Sequence, residues 1–180
     1  MDTFSHAAWG YATLRAARPG RSAGGSQRTM RWWWAALAGA APDLLFFIPS
    51  RLEALVTRGL DGLTISAERG IWRADGPPMP PELVEVYFRY YIKTHSLVLL
   101  AAACALLWLA GRRRWLWLAI PYGLHIVMDM PTHERYLTQP LWPLSSWYMQ
   151  GLAWSDPRIF FPHLAVLIGV LAWLKGTKRI

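Results

Sequence analysis

Four long apolar runs, residues 32–48, 97–111, 115–130 and 159–174, hold only four His or Asp side chains and no other ionisable group except Tyr122 and Cys104. That limits what the chain can fold into. Runs of this kind become helices buried in protein or lipid, and a charged group inside one is costly and usually functional. The third run ends in His125-Ile-Val-Met-Asp129-Met-Pro-Thr-His133, which sets three metal-ligand residue types at i, i+4 and i+8. On an α-helix each such step advances about 40°, so all three share one face.

Composition names the solvent. Hydrophobic residues make up 54% of the chain, Trp occurs 12 times, and 17% of residues are charged, against about 25% in a soluble domain. The surplus apolar surface calls for lipid. The expected fold is a single all-α domain over residues 1–180, a polytopic membrane bundle of four to five short transmembrane helices with outer-face loops. The net charge of +8 does not signal nucleic acid, because the basic residues sit at the ends of apolar runs, as topology signals do. The single Cys104 excludes an internal disulfide and a thiolate-based metal site. The opening Met-Asp-Thr-Phe-Ser-His lacks the basic region and small-residue site of a cleaved leader.

Along the chain, residues 3–17 read as a short helix capped by Asp2, Thr3 or Ser5. A Gly/Ser/Arg-rich linker runs to Arg31. Pro42-Asp43 is expected to interrupt the first run, with a kink that aims Asp43 inward. Ser50 to Leu60 reads as a separate amphipathic piece, and Pro81 as the first-turn residue of a helix leading to Thr94-His95-Ser96.

If the Arg112-Arg113-Arg114 turn faces the cytoplasm, residues 15–31, 112–114 and 175–180 all lie inside. Together they hold 11 of the 19 Lys and Arg residues and none of the acidic ones, as the positive-inside rule requires. The same alternation brings His6, Asp43, His95, His125, Asp129, His133 and His163 toward the outer face. The expected location is a bacterial inner (plasma) membrane, with the lipid bilayer as partner and the oligomeric state open.

Each residue also has a plainer reading. His6 is near a terminus, Pro42-Asp43 can be a cap or kink, and Thr94 and Ser96 are good N-caps. His163 can simply cap the last helix. His125 and Asp129 can satisfy each other by a hydrogen bond. That pairing leaves unexplained why His6, Asp43 and His95 reach the same layer. Imidazoles and carboxylates without thiolates suit a divalent metal, with zinc the usual hydrolytic choice, as one ion or as two sharing a bridging Asp. His133 follows Pro131 and is expected to leave the helix for a rim position.

Ser5-His6, Gly39-Ala-Ala-Pro42-Asp43, Thr94-His95-Ser96 and His125-x-x-x-Asp129, in that order, resemble the YdjM-like family of inner-membrane metal-dependent hydrolases. The resemblance runs from His6 to about residue 155. It implies a helical membrane protein distantly similar to zinc-dependent phospholipase C and P1-type nucleases, which cleave phosphoesters with zinc held on His and Asp. His6, Asp43, His95, His125 and Asp129 are the ligands it implies. Where the family often has Asp-x-Asp, Asp43 is followed by Leu44-Leu45, which makes a single ion more plausible.

The resulting expectation is hydrolysis of a lipid or lipid-linked phosphoester by metal-activated water, with Asp43 or Asp129 accepting the proton. Thr94, Ser96 and Thr132 would orient ligands. Arg89, Lys93 and Arg135 would hold a phosphate or, on the plainer reading, anchor to headgroups. The rival class is a non-catalytic membrane protein, either a metal-stabilised scaffold or a transporter subunit.

Overall fold

The computed structural model describes residues 1–17, 32–68, 81–134 and 137–177. Among the described residues there are six α-helices: α1 (Thr3–Ala16), α2 (Trp32–Glu68), α3 (Pro81–Thr94), α4 (Leu97–Leu109), α5 (Ala119–Asp129) and α6 (Pro157–Gly176). No strand occurs among the described residues. Most of the basic linker and Arg135 lie outside them.

Local chemistry sets the helix ends. The Asp2 carboxylate caps α1 by accepting from the Ser5 amide at 2.8 Å. Ser96 caps α4, accepting from the Leu99 amide at 3.1 Å. Asp156 caps α6, and its hydrogen bonds with Arg158 hold its carboxyl down to about 2. Gly111 takes φ 69° after α4, the left-handed conformation glycine accepts at a helix end, and turns the chain into Arg112-Arg113-Arg114.

Three expectations about the runs change. Helical geometry continues through Pro42 and Pro49, and the chain leaves it only at Gly59 (φ 62°), so the amphipathic piece expected from Ser50 continues the helix as far as the kink at Gly59. Asp43 therefore points inward because of its helix face and not because of a break at Pro42. The run from Trp115 begins as a 3₁₀ turn (Arg113–Leu118) before α5. Pro121 has no N–H to bond back to the Trp117 carbonyl, which weakens the α-helical alternative there.

The long helices turn apolar faces outward, and the interior sets a polar cluster among apolar residues such as Phe46, Ile126 and Leu174. None of the 13 apolar residues of α4 is buried, and in α6 only Leu167 and Leu174 are. The buried set includes His6, Asp43, His95, His125, Asp129, Thr132 and Thr138. Among the described residues two helices are long and apolar enough to cross a membrane, Trp32–Asp61 and Pro157–Gly176. The pair Phe88–Thr94 and Leu97–Leu109, bent by 57°, makes a third if it is one span. α1 and α5, with 14 and 11 residues, reach only about 21 and 17 Å, short of a ~30 Å hydrocarbon core.

Glycines bring α1 against α2. A Cβ on Gly10 would lie 2.3 Å from the Ala35 carbonyl oxygen, and one on Gly39 would lie 2.4 Å from that of His6. Both obstacles are backbone, so neither can swing aside. Gly39→Ala should therefore force α1 outward at a cost of about 1–3 kcal/mol. The check is thermal unfolding in detergent, where an unchanged midpoint would contradict the close contact.

Candidate metal centre

Four segments meet at one buried point. α1 supplies His6 and α2 supplies Asp43. His95 comes from the α3–α4 bend, and α5 supplies His125 and Asp129. These five side chains are at most 6% exposed as residues, and His95 and Asp129 are fully buried.

The imidazole orientations follow from their partners. His125 Nδ1 lies 2.6 Å from the Gly39 carbonyl oxygen, which can only accept, so Nδ1 carries the proton. His95 Nδ1 lies 3.1 Å from the Tyr91 carbonyl oxygen and donates to it in the same way. Thr94 Oγ, 3.0 Å from that nitrogen, donates to the carbonyls of Tyr90 and Tyr91. Both rings thus turn Nε2 inward, with the two Nε2 atoms 3.1 Å apart.

Two carboxylates close on the same point. Asp129 Oδ2 is 3.1 Å from His125 Nε2 and 3.3 Å from His95 Nε2, yet it is buried without a hydrogen-bond donor. Asp43 Oδ1 lies 3.6 Å from His125 Nε2 and 3.8 Å from His95 Nε2. One ligand atom from each of Asp43, His95, His125 and Asp129 lies within 4.8 Å of the others. A tetrahedron of atoms ~2.0–2.1 Å from a metal has edges of about 3.3 Å, close to these separations. One proton placed on either Nε2 would satisfy one contact and leave other acceptors facing each other. A cation at the centre satisfies all four, and the cluster could hold a metal ion.

The other carboxylate oxygens are fixed from behind. Asp43 Oδ2 accepts from Thr3 Oγ at 2.6 Å. Asp129 Oδ1 accepts from the Met1 amine at 2.7 Å and lies 2.9 Å from His6 Nε2. The His6 ring stacks on that of His125 with centroids 3.5 Å apart, while its Nδ1 is buried without a partner. Thr3, Gly39 and Tyr91 orient the cluster side chains, and sequence reasoning assigns none of them that role; Thr3 reads only as a possible cap. The only trace of Gly39 was its place in Gly39-Ala-Ala-Pro42-Asp43.

The remaining named residues separate. His133 adopts extended backbone after the 3₁₀ turn, and its Nδ1 lies 3.0 Å from the Asp129 carbonyl oxygen and 3.6 Å from Asp129 Oδ1. Thr132 Oγ donates to the Met128 carbonyl and accepts from the Met1 amine at 3.2 Å. Ser96 Oγ donates to the Trp142 carbonyl, so it ties α4 to the loop and is not bonded to a ligand. His163 Nε2 accepts from Trp9 Nε1 at 2.8 Å, which joins α6 to α1. Arg89 is held by Glu53 at 3.3 Å and Glu85 at 3.0 Å. Lys93 makes no ion pair among the described residues.

No curated protein and no solved structure matches the chain, so the expected likeness to phospholipase C and P1-type nucleases gains no support from comparison. A family model does match, and the match covers every element that builds the buried cluster. With the YdjM inner membrane protein model matched over residues 1–180, the chain belongs to that family of membrane proteins.

Proposed function

We propose that the protein is a membrane-bound metal-dependent hydrolase that cleaves a phosphoester on a lipid or lipid-linked substrate. The observation that carries this reading is the convergence of four buried ligand atoms with no donor to satisfy Asp129 Oδ2. Two imidazoles and two carboxylates make zinc the preferred ion. One ion fits the four ligands, and a second would use Asp129 Oδ1, His6 and His133. Bound zinc supplies Lewis acidity and a water with a pKa near ~7.

The chain's own residues divide the remaining work. Both Asp129 oxygens face other groups of the cluster and its side chain is fully buried, whereas that of Asp43 keeps 8% exposure. Asp43 is the better placed of the two to reach a water and accept its proton. Thr3 holds Asp43 from behind, and the Gly39 and Tyr91 carbonyls fix the two His tautomers.

The test is to strip the purified protein with chelator, reload it with zinc, manganese or magnesium, and assay lipid and non-lipid phosphoesters. Metal-dependent turnover of a lipid phosphoester is expected; metal retention with no turnover would overturn the hydrolase. That second outcome would favour a metal-stabilised scaffold, the reading supported by four protein ligands, the number a closed structural site uses.

We further propose five helices at membrane depth, with four to five short spans, the Arg112–Arg114 turn in the cytoplasm and the cluster toward the outer face of the inner membrane. The charge distribution supports this orientation. A periplasmic reporter fused after Arg114 should be inactive, and activity there would invert the topology.

A further inference from the structure

A groove of about 470 Å³ runs between α2, α4 and the segment leading into α5. Its walls are apolar, with Leu37 and Leu45 on α2, Ala103 and Leu107 on α4, and Trp115 at the far end. Three polar residues line it, and two are already satisfied. Ser96 Oγ donates to the Trp142 carbonyl, and Tyr122 Oη donates to the Thr94 carbonyl at 2.8 Å. The third, Lys93, is exposed and has no ion pair among the described residues. It stands two residues before the ligand His95. None of the five cluster residues lines the groove, so its one unpaired cation is what selects a ligand, and a cation in an apolar slot selects an anionic amphiphile.

The dimensions select a chain. From Ser96 to Leu107 the groove follows about 17 Å of α4. At ~30 Å³ per small group, this volume holds roughly fifteen methylenes. We propose that this groove seats one acyl chain of an anionic phospholipid, with the phosphate at the Lys93 ammonium. That this also sets an ester beside the metal rests on the phosphoester reading above; the seating of the chain does not.

The experiment uses the full chain in phosphatidylcholine nanodiscs doped with phosphatidylglycerol carrying a photoactivatable acyl chain, with adducts mapped by mass spectrometry. Adducts should fall on groove residues of α2 and α4. Ala103→Trp and, at the far end, Leu107→Trp should remove them while the thermal midpoint stays near that of wild type. Lys93→Gln should lower the preference for phosphatidylglycerol over a phosphatidylcholine probe about fivefold, the effect of one cation on an anionic lipid surface. Chelator-treated wild type should label as before. Labelling that ignores both Trp variants, or shows no anionic preference, overturns the proposal. So does efficient disulfide cross-linking of Cys104 between copies, which would put a second protein helix in the groove. Groove labelling without phosphoester turnover would leave the lipid seat standing and remove the hydrolase; turnover without groove labelling would do the reverse.

Discussion

His125→Ala and Asp129→Ala should each lower zinc affinity by more than the ~10–100-fold that loss of a supporting residue costs. Purified in parallel, wild type should carry metal in stoichiometric amount and both variants close to none. The reason is geometric. His125 Nε2 and Asp129 Oδ2 are each within 3.3 Å of at least two other acceptor atoms of the cluster, so removing either opens the coordination shell. Thr3→Val, which removes only the hydroxyl bonded to Asp43 Oδ2, should fall within the milder range. His163→Ala and Arg89→Ala should keep the metal, because their partners are Trp9 and the Glu53/Glu85 pair. Stoichiometric metal surviving both ligand substitutions would remove the site.

The site was more legible in the sequence than the fold around it, and the reason is physical. An Asp or His inside an apolar run carries a free-energy cost that local structure cannot explain, so Asp43, His125 and Asp129 stand out in one dimension. What holds them is backbone. The Gly39 and Tyr91 carbonyls set the tautomers of His125 and His95, and a backbone carbonyl has no sequence signature. Pro42 illustrates the opposite failure. It reads as a helix breaker, but packing against α1 keeps α2 regular through it. Only two helices, or three with the bent pair, are long and apolar enough to cross a membrane among the described residues, against the four to five spans expected. An apolar run does not report which of its faces meets protein, and α5 turns His125 and Asp129 inward while Ile120 and Val127 stay exposed.

The buried polar cluster also reverses the usual logic of a membrane bundle. Helices in lipid gain little from apolar contact with one another, since lipid solvates those faces equally well. Here α1, α2 and α5 touch through glycine-mediated backbone contact and through the His/Asp cluster. The cluster therefore helps hold the helices together. Removing metal should loosen α1 and α5 first.

Asp43→Asn should change the sign of its effect on stability when metal is added. Asp43 Oδ1 lies 3.8 and 3.6 Å from the Nε2 atoms of His95 and His125, too far for a hydrogen bond, and Asp129 Oδ2 is buried without a donor. The amide introduced by the substitution can keep its carbonyl on Thr3 Oγ and turn its N–H groups toward His95 and His125 Nε2. Satisfying buried acceptors in this way is worth about 1–3 kcal/mol. In a chain of 180 residues, that raises the midpoint by roughly 2–4 °C for each kcal/mol. Chelated Asp43→Asn should thus melt above chelated wild type. With zinc at about a thousand times its dissociation constant, wild type gains ~4 kcal/mol that the variant, short of one anionic ligand, does not match. The two melting curves should then exchange order, as calorimetry or tryptophan fluorescence would record in detergent. A variant that is less stable by the same amount in chelator and in zinc would mean that Asp43 acts only as a hydrogen-bond acceptor, and the four-ligand centre would have to be abandoned.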